Sequence, residues 1–352
     1  MKFLFWGLLF FVALLRILTF KTPVTDGQKV RISTKVLQEP IRQQNYQRLV
    51  LENLIVYLDP FPEVYYGDEV VVEGVVSQNK LVSAKLLSVK ENQGILPNFR
   101  KRLINFYQDS LPEPHASLIA GITLGSKGSL GKDFWDKLKN TGVVHVVVAS
   151  GTNITLVAGF LVGITTFLLK RRLAIVFVLV GIWLYAVLSG FDAPIVRAAI
   201  MGSLVFTAQE VGRLSQSFRV LVITGLLMLI IKPAWIRDLG FILSFVATGS
   251  LIVFQERINK KIQILPAVIR EGMSTSLAAQ IGVAPILFVT FGSFNILSPI
   301  INALVLWSVP LIMVISGVAG LVGLLFPFLG RMILYLTYPL TSWFVFVVDF
   351  FG

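Results

Sequence analysis

The chain has 352 residues, of which 55% are hydrophobic and only 14% are charged, whereas soluble domains carry about 25% charged residues. This composition excludes an ordinary soluble globular protein and predicts an integral membrane protein with a modest soluble part. The net charge of +12 suits contact with anionic lipid or a polyanion, although much of such an excess often serves only to fix membrane topology. With no cysteine and only two histidines, His115 and His145, we expect no disulfide, no bound metal and no other cofactor.

An apolar run over residues 3–20 follows Lys2. Eighteen residues span roughly 27 Å as an α-helix, close to the thickness of a membrane hydrocarbon core. A secretory signal is the alternative, but no small-x-small cleavage site follows the run. The sequence therefore predicts an N-terminal membrane anchor over residues 1–20.

Residues 21–96 alternate apolar with polar residues, and Gly, Pro, Asn and Asp interrupt them about every ten positions. This pattern predicts a small all-β domain of five short strands, which fits an OB-like barrel. OB barrels often bind single-stranded nucleic acid by stacking bases on aromatic side chains beside a basic groove. The alternative is that the tyrosines only fill the barrel and its rim. The candidate DNA-binding residues of this domain are Arg42, Tyr46, Arg48, Tyr57, Tyr65 and Tyr66.

Residues 97–141 predict amphipathic helices that lie at the membrane interface. Asn98 is a fair N-cap, and the basic run 100–102 lies among apolar and aromatic residues. A second basic and aromatic segment covers 132–139. Basic amphipathic helices of this kind bind anionic lipid headgroups, and we prefer that interpretation to nucleic-acid binding here.

Residues 142–352 predict a polytopic membrane domain. The fold class is therefore mainly α, with about eight to ten membrane helices, some broken or re-entrant, and a small all-β OB-like domain outside the membrane. The segment 297–326 is too long for one straight helix and contains Pro310, so a kinked helix and a hairpin both remain open. The candidate spans are 154–169, 173–190, 194–211, 217–231, 239–254, 274–291, 297–326 and 332–350.

The basic residues of the connections predict the orientation. If the N-terminus is cytoplasmic, the outer connections carry only Lys232 and Arg237. The positive-inside rule favours this arrangement, which places the β-domain outside the cytoplasm. The basic residues that then fall on the cytoplasmic side are Lys170, Arg171, Arg172, Arg213, Arg219, Arg257, Lys260, Lys261 and Arg270.

The segment 142–169 carries polar residues inside an apolar run. The stretch 143–149 is too short to cross a membrane, 150–153 interrupts it, and 154–169 nearly crosses. Such breaks are tolerated only where they line a cavity, so His145, Ser150, Gly151 and Asn153 predict one wall of a polar path. A histidine bonded to a carbonyl is an equal alternative for His145. A serine hydrolase is disfavoured because the G-x-S-x-G motif and a convincing acid are missing, so we expect no enzyme.

Four later segments bring polar groups into apolar helices. Arg197, near the start of one of them, must pair, face water or extend to the interface, since a charge inside the membrane is costly. Asp192 and Asp238 are its candidate partners. The path residues contributed by these segments are Asp192, Arg197, Asp238, Ser244, Gln280 and Asn302.

In their order along the chain and in their residues, these segments resemble the ComEC family of bacterial competence proteins. Two positions depart from the family pattern: Ile242 stands where a glutamine is expected, and Thr152 where an apolar residue is expected. The matching residues are His145, Ser150, Gly151 and Asn153; Gly190, Phe191, Pro194, Val196, Arg197, Ala198 and Ala199; Asp238, Gly240, Phe241, Leu243, Ser244 and Phe245; and Ala279, Gln280, Pro285 and Asn302.

The resemblance implies a channel that carries single-stranded DNA across the bacterial cytoplasmic membrane during natural transformation. The implied partners are single-stranded DNA, membrane lipid, an extracytoplasmic DNA receptor and, since no G-x-x-x-x-G-K-[ST] motif is present, a cytoplasmic motor ATPase. Many family members end in a metallo-β-lactamase-like domain. These 352 residues contain none, so we expect a short form served by a separate nuclease; a homo-oligomer also stays open. Two other functions remain: a transporter of a small polar solute, and a membrane-anchored OB-type DNA-binding module.

Overall fold

The computed structural model describes residues 2–20, 26–42, 45–52, 54–77, 80–92, 94–128, 130–148, 150–211, 216–291 and 295–352. Arg213, which counts toward the predicted cytoplasmic charge, lies outside the described residues, as does Ala149 in the predicted polar segment.

The N-terminal apolar run forms helix α1 (Lys2–Thr19). It packs against a later helix, α9 (Ser217–Ile231), where the Arg16 Nε donates to the carbonyl oxygen of Ile230 at 3.3 Å. The end of α1 that leads into the β-domain therefore lies beside the C-terminal end of α9.

The predicted all-β domain is present as one six-stranded sheet in the order β1-β5-β6-β4-β3-β2. Every pairing is antiparallel except that of β4 with β6. The sheet has six strands, not the five expected, because residues 36–40 divide the first segment into β1 and the two-residue β2, which lie at opposite edges. The strands are β1 (Lys29–Lys35), β2 (Ile41–Arg42), β3 (Gln47–Leu51), β4 (Leu54–Leu58), β5 (Glu69–Ser77) and β6 (Lys80–Lys90).

Alternate residues of these strands build a core of their own. Val56, Val70 and Val72 are fully buried, and Val36 of the dividing segment is buried with them. This period of two is the alternation visible in the sequence.

The rest of the chain is helical, which confirms a mainly α, polytopic fold with a small β-domain. The helices are α2 (Ile95–Ser110), α3 (His115–Leu124), α4 (Lys132–Thr141), α5 (Val144–Val147), α6 (Gly151–Leu168), α7 (Arg171–Leu188), α8 (Ala193–Glu210), α9, a 3-10 turn (Pro233–Arg237), α10 (Leu239–Lys261), α11 (Ala267–Phe291), α12 (Ser298–Val305), α13 (Ser308–Leu325), α14 (Pro327–Tyr335) and α15 (Tyr338–Phe351).

Among the described residues, five segments are long and apolar enough to cross a membrane: Val144–Leu168, Arg171–Leu188, Leu239–Lys261, Ile269–Thr290 and Ser308–Leu325. The bent pair α14 and α15 makes a sixth if it is one span. This is fewer than the eight to ten expected. The 15-residue α9 is too short by this measure, and α8, which carries Arg197 and Glu210, is not among the five.

The segment 97–141 is not the purely interfacial element that its sequence predicts. Every residue of α3 is buried, and the His115 Nδ1 lies 3.0 Å from the Thr341 Oγ1 of α15. Helix α2 packs on α13, where the Tyr107 hydroxyl donates to the carbonyl oxygen of Ser316 at 3.0 Å. Both helices therefore belong to the core of the helical domain.

The predicted span 297–326 is two helices, α12 and α13, separated at residues 306–307. Pro310 is the third residue of α13, where a proline costs no helical hydrogen bond. The break therefore precedes the proline. The next predicted span is also divided, into α14 and α15, with a bend of 48° between them.

Candidate functional site

The predicted polar path begins where α6 starts. Ser150 precedes the helix, but its hydroxyl donates to the Asn153 Oδ1 at 3.2 Å and caps no amide. Gly151 is the first helical residue, and a Cβ there would lie 2.6 Å from the Nη2 atom of Arg197. A larger residue at Gly151 would therefore displace the end of the Arg197 side chain, which α8 contributes.

Asn153 joins three helices inside the bundle. Its side chain is 1% exposed, and its Nδ2 donates to the carbonyl oxygen of Ile122 in α3 at 2.7 Å and to the Tyr185 hydroxyl of α7 at 3.2 Å. These bonds occupy both of its donor hydrogens. Asn153 is therefore placed to hold the helices together more than to face a solute.

Arg197 is paired with neither of its two predicted acidic partners. Asp192 instead forms an ion pair with Lys127, with 2.8 Å between the Nζ and Oδ2 atoms. Asp238 caps α10, accepting a hydrogen bond from the Phe241 amide at 2.7 Å. Arg197 is only 9% exposed, and no hydrogen bond or ion pair joins it to any residue in the described part of the chain.

His145 and Asn302 belong to a second polar group. The His145 Nδ1 lies 3.0 Å from the carbonyl oxygen of Gly142, and a Cβ on Gly142 would lie 2.7 Å from the Ser298 Oγ. The Asn302 Nδ2 in turn donates to the Ser298 Oγ at 3.2 Å and to the Ser276 Oγ at 2.7 Å. The carbonyl contact of His145 matches the alternative interpretation, although the ring is exposed.

Gln280 extends this second group along α11. Its Nε2 donates to the carbonyl oxygen of Asn295 at 3.2 Å, and the Asn295 Nδ2 donates to the carbonyl oxygen of Asn140 at 2.6 Å. Ser244 is half-buried on α10. The structure thus places seven of the ten path residues in two groups, to which Asp192, Asp238 and Ser244 do not belong. The first consists of Ser150, Gly151, Asn153 and Arg197, and the second of His145, Gln280 and Asn302.

Two open clefts lie apart from both groups. One, of about 510 Å³, is lined by residues of α7 and α8 that include Arg172 and Glu210. The other, of about 420 Å³, is lined by residues of α9 and α10 that include Gln255. Neither is lined by a predicted path residue.

The sequence interpretation missed the contact that joins the β-domain to the helices. The Arg100 guanidinium, expected to bind lipid headgroups, is 2% exposed, and its Nη2 pairs with the Glu39 Oε2 at 2.5 Å. Its Nη1 donates to the carbonyl oxygens of Leu124 and Leu188. One signal was present: Arg100 shares a helix face with Leu103 and Tyr107 at i, i+3, i+7 spacing, which points it inward.

Tyr66 belongs to the same interface. Its hydroxyl donates to the carbonyl oxygen of Val187 at 2.8 Å, and burial is the main cause that raises its pKa above the usual value. Tyr66 is therefore occupied at the corner between α7 and α8, apart from the other candidate DNA-binding residues.

The remaining five candidates of the β-domain form two clusters. Arg48 and Tyr57 are direct cross-strand partners of β3 and β4, and the ring centroids of Tyr46 and Tyr57 are 5.4 Å apart. Arg42 lies 4.3 Å from the centroid of the Tyr65 ring and pairs with Glu63 at 3.1 Å. Tyr57 is exposed, so the first cluster is the more accessible of the two.

Comparison with known proteins identifies the helical part. The family model described as Competence protein matches residues 122–352, which include every predicted path residue. The ComE operon protein 3 of Bacillus subtilis (strain 168) is 26% identical over 208 residues, 59% of this chain. The match spans only 26% of that relative's length. No solved structure matches. Because the family model covers most of the chain, the chain belongs to the Competence protein family.

Proposed function

We propose that this chain is a multi-pass protein of the bacterial cytoplasmic membrane that conducts single-stranded DNA inward during natural transformation. The observation that carries the proposal is the family match over residues 122–352, which contains all the predicted path residues. Polar and charged groups inside apolar helices, Arg197 above all, support a path for a polar solute. We propose that conduction is passive, and that a cytoplasmic ATPase pulls the strand while a separate nuclease degrades its complement.

The proposed orientation puts the β-domain outside and the N-terminus inside. The β-domain contacts the corner between α7 and α8, through Tyr66 and Val187. The opposite ends of the same helices carry Arg171 and Arg172, which lie 3.4 Å and 3.5 Å from the Glu210 carboxylate. The positive-inside rule favours the cytoplasm for this basic end.

We further propose that arriving DNA first contacts the cluster of Tyr46, Arg48 and Tyr57, in which Tyr57 is exposed and the other two are half-buried. Bases stack on aromatic rings without regard to sequence, and a neighbouring arginine attracts the phosphates. This role is compatible with a DNA receptor that delivers the strand from outside.

The test is uptake of labelled transforming DNA by a strain that lacks the gene. We expect label to bind the cell surface but to stay outside, and a plasmid copy of the gene to restore internal label. A strain that internalises DNA equally well without the gene contradicts the proposal. That result, combined with a lost ability to take up a small solute, would favour the transporter alternative.

Arg197→Ala tests the path itself. We expect transformation to fall about tenfold or more, which corresponds to the loss of roughly 1.4 kcal/mol of interaction with the strand, while the membrane fraction holds a normal amount of protein. Arg172→Ala, which removes the same charge from the exposed end of α7, is the matched control. Normal transformation in the Arg197 variant would remove Arg197 from the path.

A further inference from the structure

Two positive groups meet at the start of α6. An α-helix carries roughly half a positive charge at its N-terminus, and its first amides have no acceptor within the helix. In α6 the Ser150 side chain does not cap these amides, since its hydroxyl points to Asn153. The guanidinium of Arg197 lies at the same place, with its Nη2 atom 2.6 Å from where a Cβ of Gly151 would be.

Arg197 has no counter-charge within the described residues. It is only 9% exposed, and its Nε is buried without a hydrogen-bond partner. Buried charges in proteins are normally paired and hydrogen-bonded. An anion at this place would form an ion pair with the buried guanidinium. It would also accept hydrogen bonds from the free amides at the start of α6.

The acidic side chains of the neighbouring elements are already engaged. Asp192 pairs with Lys127, Asp238 caps α10, and Glu210 pairs with Arg171 and Arg172 at the other end of α8. The anion must then come from outside the described chain. Other protein atoms do not fully cover the start of α6, because Thr152 is exposed and Gly151 is half-buried.

We propose that the Gly151 and Thr152 amides and the Arg197 guanidinium form a binding site for one phosphodiester group. Helix N-termini and arginine are both matched to phosphate oxygens. The site rests on the proposed function, since the phosphodiester is that of the transported strand. Arg197 lies five residues beyond Asp192, on the end of α8 nearest the β-domain, so this is the first phosphate contact inside the membrane part. A single cation holds the strand weakly enough to release it.

The first experiment measures thermal unfolding of the full chain in dodecyl maltoside, a detergent without phosphate. Inorganic phosphate replaces chloride at constant ionic strength. We expect the unfolding midpoint of the wild type and of Arg172→Gln to rise with phosphate, because a ligand of the folded state stabilises it, and that of Arg197→Gln to stay constant. Equal rises in the wild type and Arg197→Gln would overturn the site.

Arg197→Lys keeps the experiment decisive if Arg197→Gln does not fold. The lysine retains the charge but loses the planar fork of donors, so its response to phosphate should be weaker than that of the wild type. If Arg197→Gln does not fold, a phosphate response in Arg197→Lys that is at least as large as that of Arg172→Gln would exclude a role for the guanidinium fork, and no response in the wild type itself would overturn the site.

The second experiment identifies the source of the phosphate. Binding of an oligothymidylate and of its uncharged methylphosphonate analogue is followed by fluorescence anisotropy at several salt concentrations. For a single strand, one phosphate contact contributes about 0.7 to the slope of log Kd against log salt. Arg197→Gln should therefore lower this slope by about 0.7 for the oligothymidylate but not for its methylphosphonate analogue. Arg172→Gln should leave the slope unchanged for both.

If the phosphate response depends on Arg197 but oligonucleotide binding does not, the site holds a free or lipid phosphate, and the assignment to DNA is overturned. Phosphatidylglycerol added to the micelles then distinguishes the two, since only a lipid site would lose its response to inorganic phosphate. These outcomes are independent of the cellular uptake experiment, so failure of the site and failure of the proposed function are distinguishable.

Discussion

At the scale of single residues, Asn153 and Arg197 differ sharply although they lie one helix apart. The Asn153 side chain donates hydrogen bonds to the Ile122 carbonyl and the Tyr185 hydroxyl. Arg197, in contrast, has no hydrogen-bond or ion-pair partner among the residues that the structure describes. The sequence identifies both as polar groups in apolar surroundings, because that depends only on local composition. It cannot distinguish them, because the partners of Asn153 come from α3 and α7, which local composition does not reveal.

Asn153→Ala should destabilise the protein by about 1–3 kcal/mol, because it leaves the buried Ile122 carbonyl without its donor. A lower thermal midpoint in detergent is the measurement. Thr166→Ala is the matched control, since Thr166 is an exposed residue of the same helix whose hydroxyl donates only to the Val162 and Gly163 carbonyls of its own helix. If Asn153→Ala leaves stability unchanged but abolishes DNA uptake, Asn153 instead contacts the transported strand.

At the scale of elements, glycines decide how closely α13 packs against its neighbours. A Cβ on Gly330 of α14 would lie 2.2 Å from the Gly323 Cα and 2.6 Å from the Gly323 nitrogen of α13. Both are backbone atoms, so no side-chain rotation relieves the overlap. A Cβ on Gly317, also in α13, would meet nothing within 4 Å.

Gly330→Ala should therefore force α13 and α14 apart and cost about 1–3 kcal/mol of stability. Gly317→Ala on the same hairpin should be neutral or stabilising by up to about 1 kcal/mol, since alanine favours the helix. Thermal unfolding in detergent compares the two. Equal thermal midpoints for Gly330→Ala and Gly317→Ala would contradict a close backbone contact between α13 and α14 at Gly330.

The positions of four membrane helices can be predicted from local properties of the sequence. Length and apolarity place α6, α7, α10 and α11 close to where they are found, because each must satisfy its own backbone within the membrane. The same reasoning misplaces α3. Its ten residues are too few to span, and the sequence does not reveal that α2, α5, α13 and α15 enclose it.

At the scale of the whole molecule, one buried ion pair connects the two domains. Glu39 of the β-domain and Arg100 of α2 are 61 positions apart, and Glu39 also accepts a hydrogen bond from the Ser126 hydroxyl at 2.7 Å. Each residue by itself looks like an ordinary surface charge in the sequence. Their pairing depends on how the sheet docks, which local patterns do not encode.

Glu39→Gln should loosen this docking by about 1–3 kcal/mol, because Arg100 then stays buried without its counter-charge. We expect faster hydrogen exchange of amides in 36–40 and at the edge strands β1 and β2, with β5 and β6 unchanged. Lys29→Gln, which removes one partner of the exposed Lys29–Glu73 pair, should leave exchange as in the wild type. Equal exchange in all three proteins would show that the pair does not hold the domains.

The five residues that separate β1 from β2 have two tasks. They join the opposite edges of the sheet, and they also present Glu39 to Arg100 and the Pro40 carbonyl to the loop at Gly128, where a Cβ would lie 3.0 Å from that oxygen. Residues 36–40 thus form both the connection between β1 and β2 and the contact of the sheet with the helices. A change that displaces residues 36–40 should therefore disturb the edge strands β1 and β2 and the contact with Arg100 at the same time.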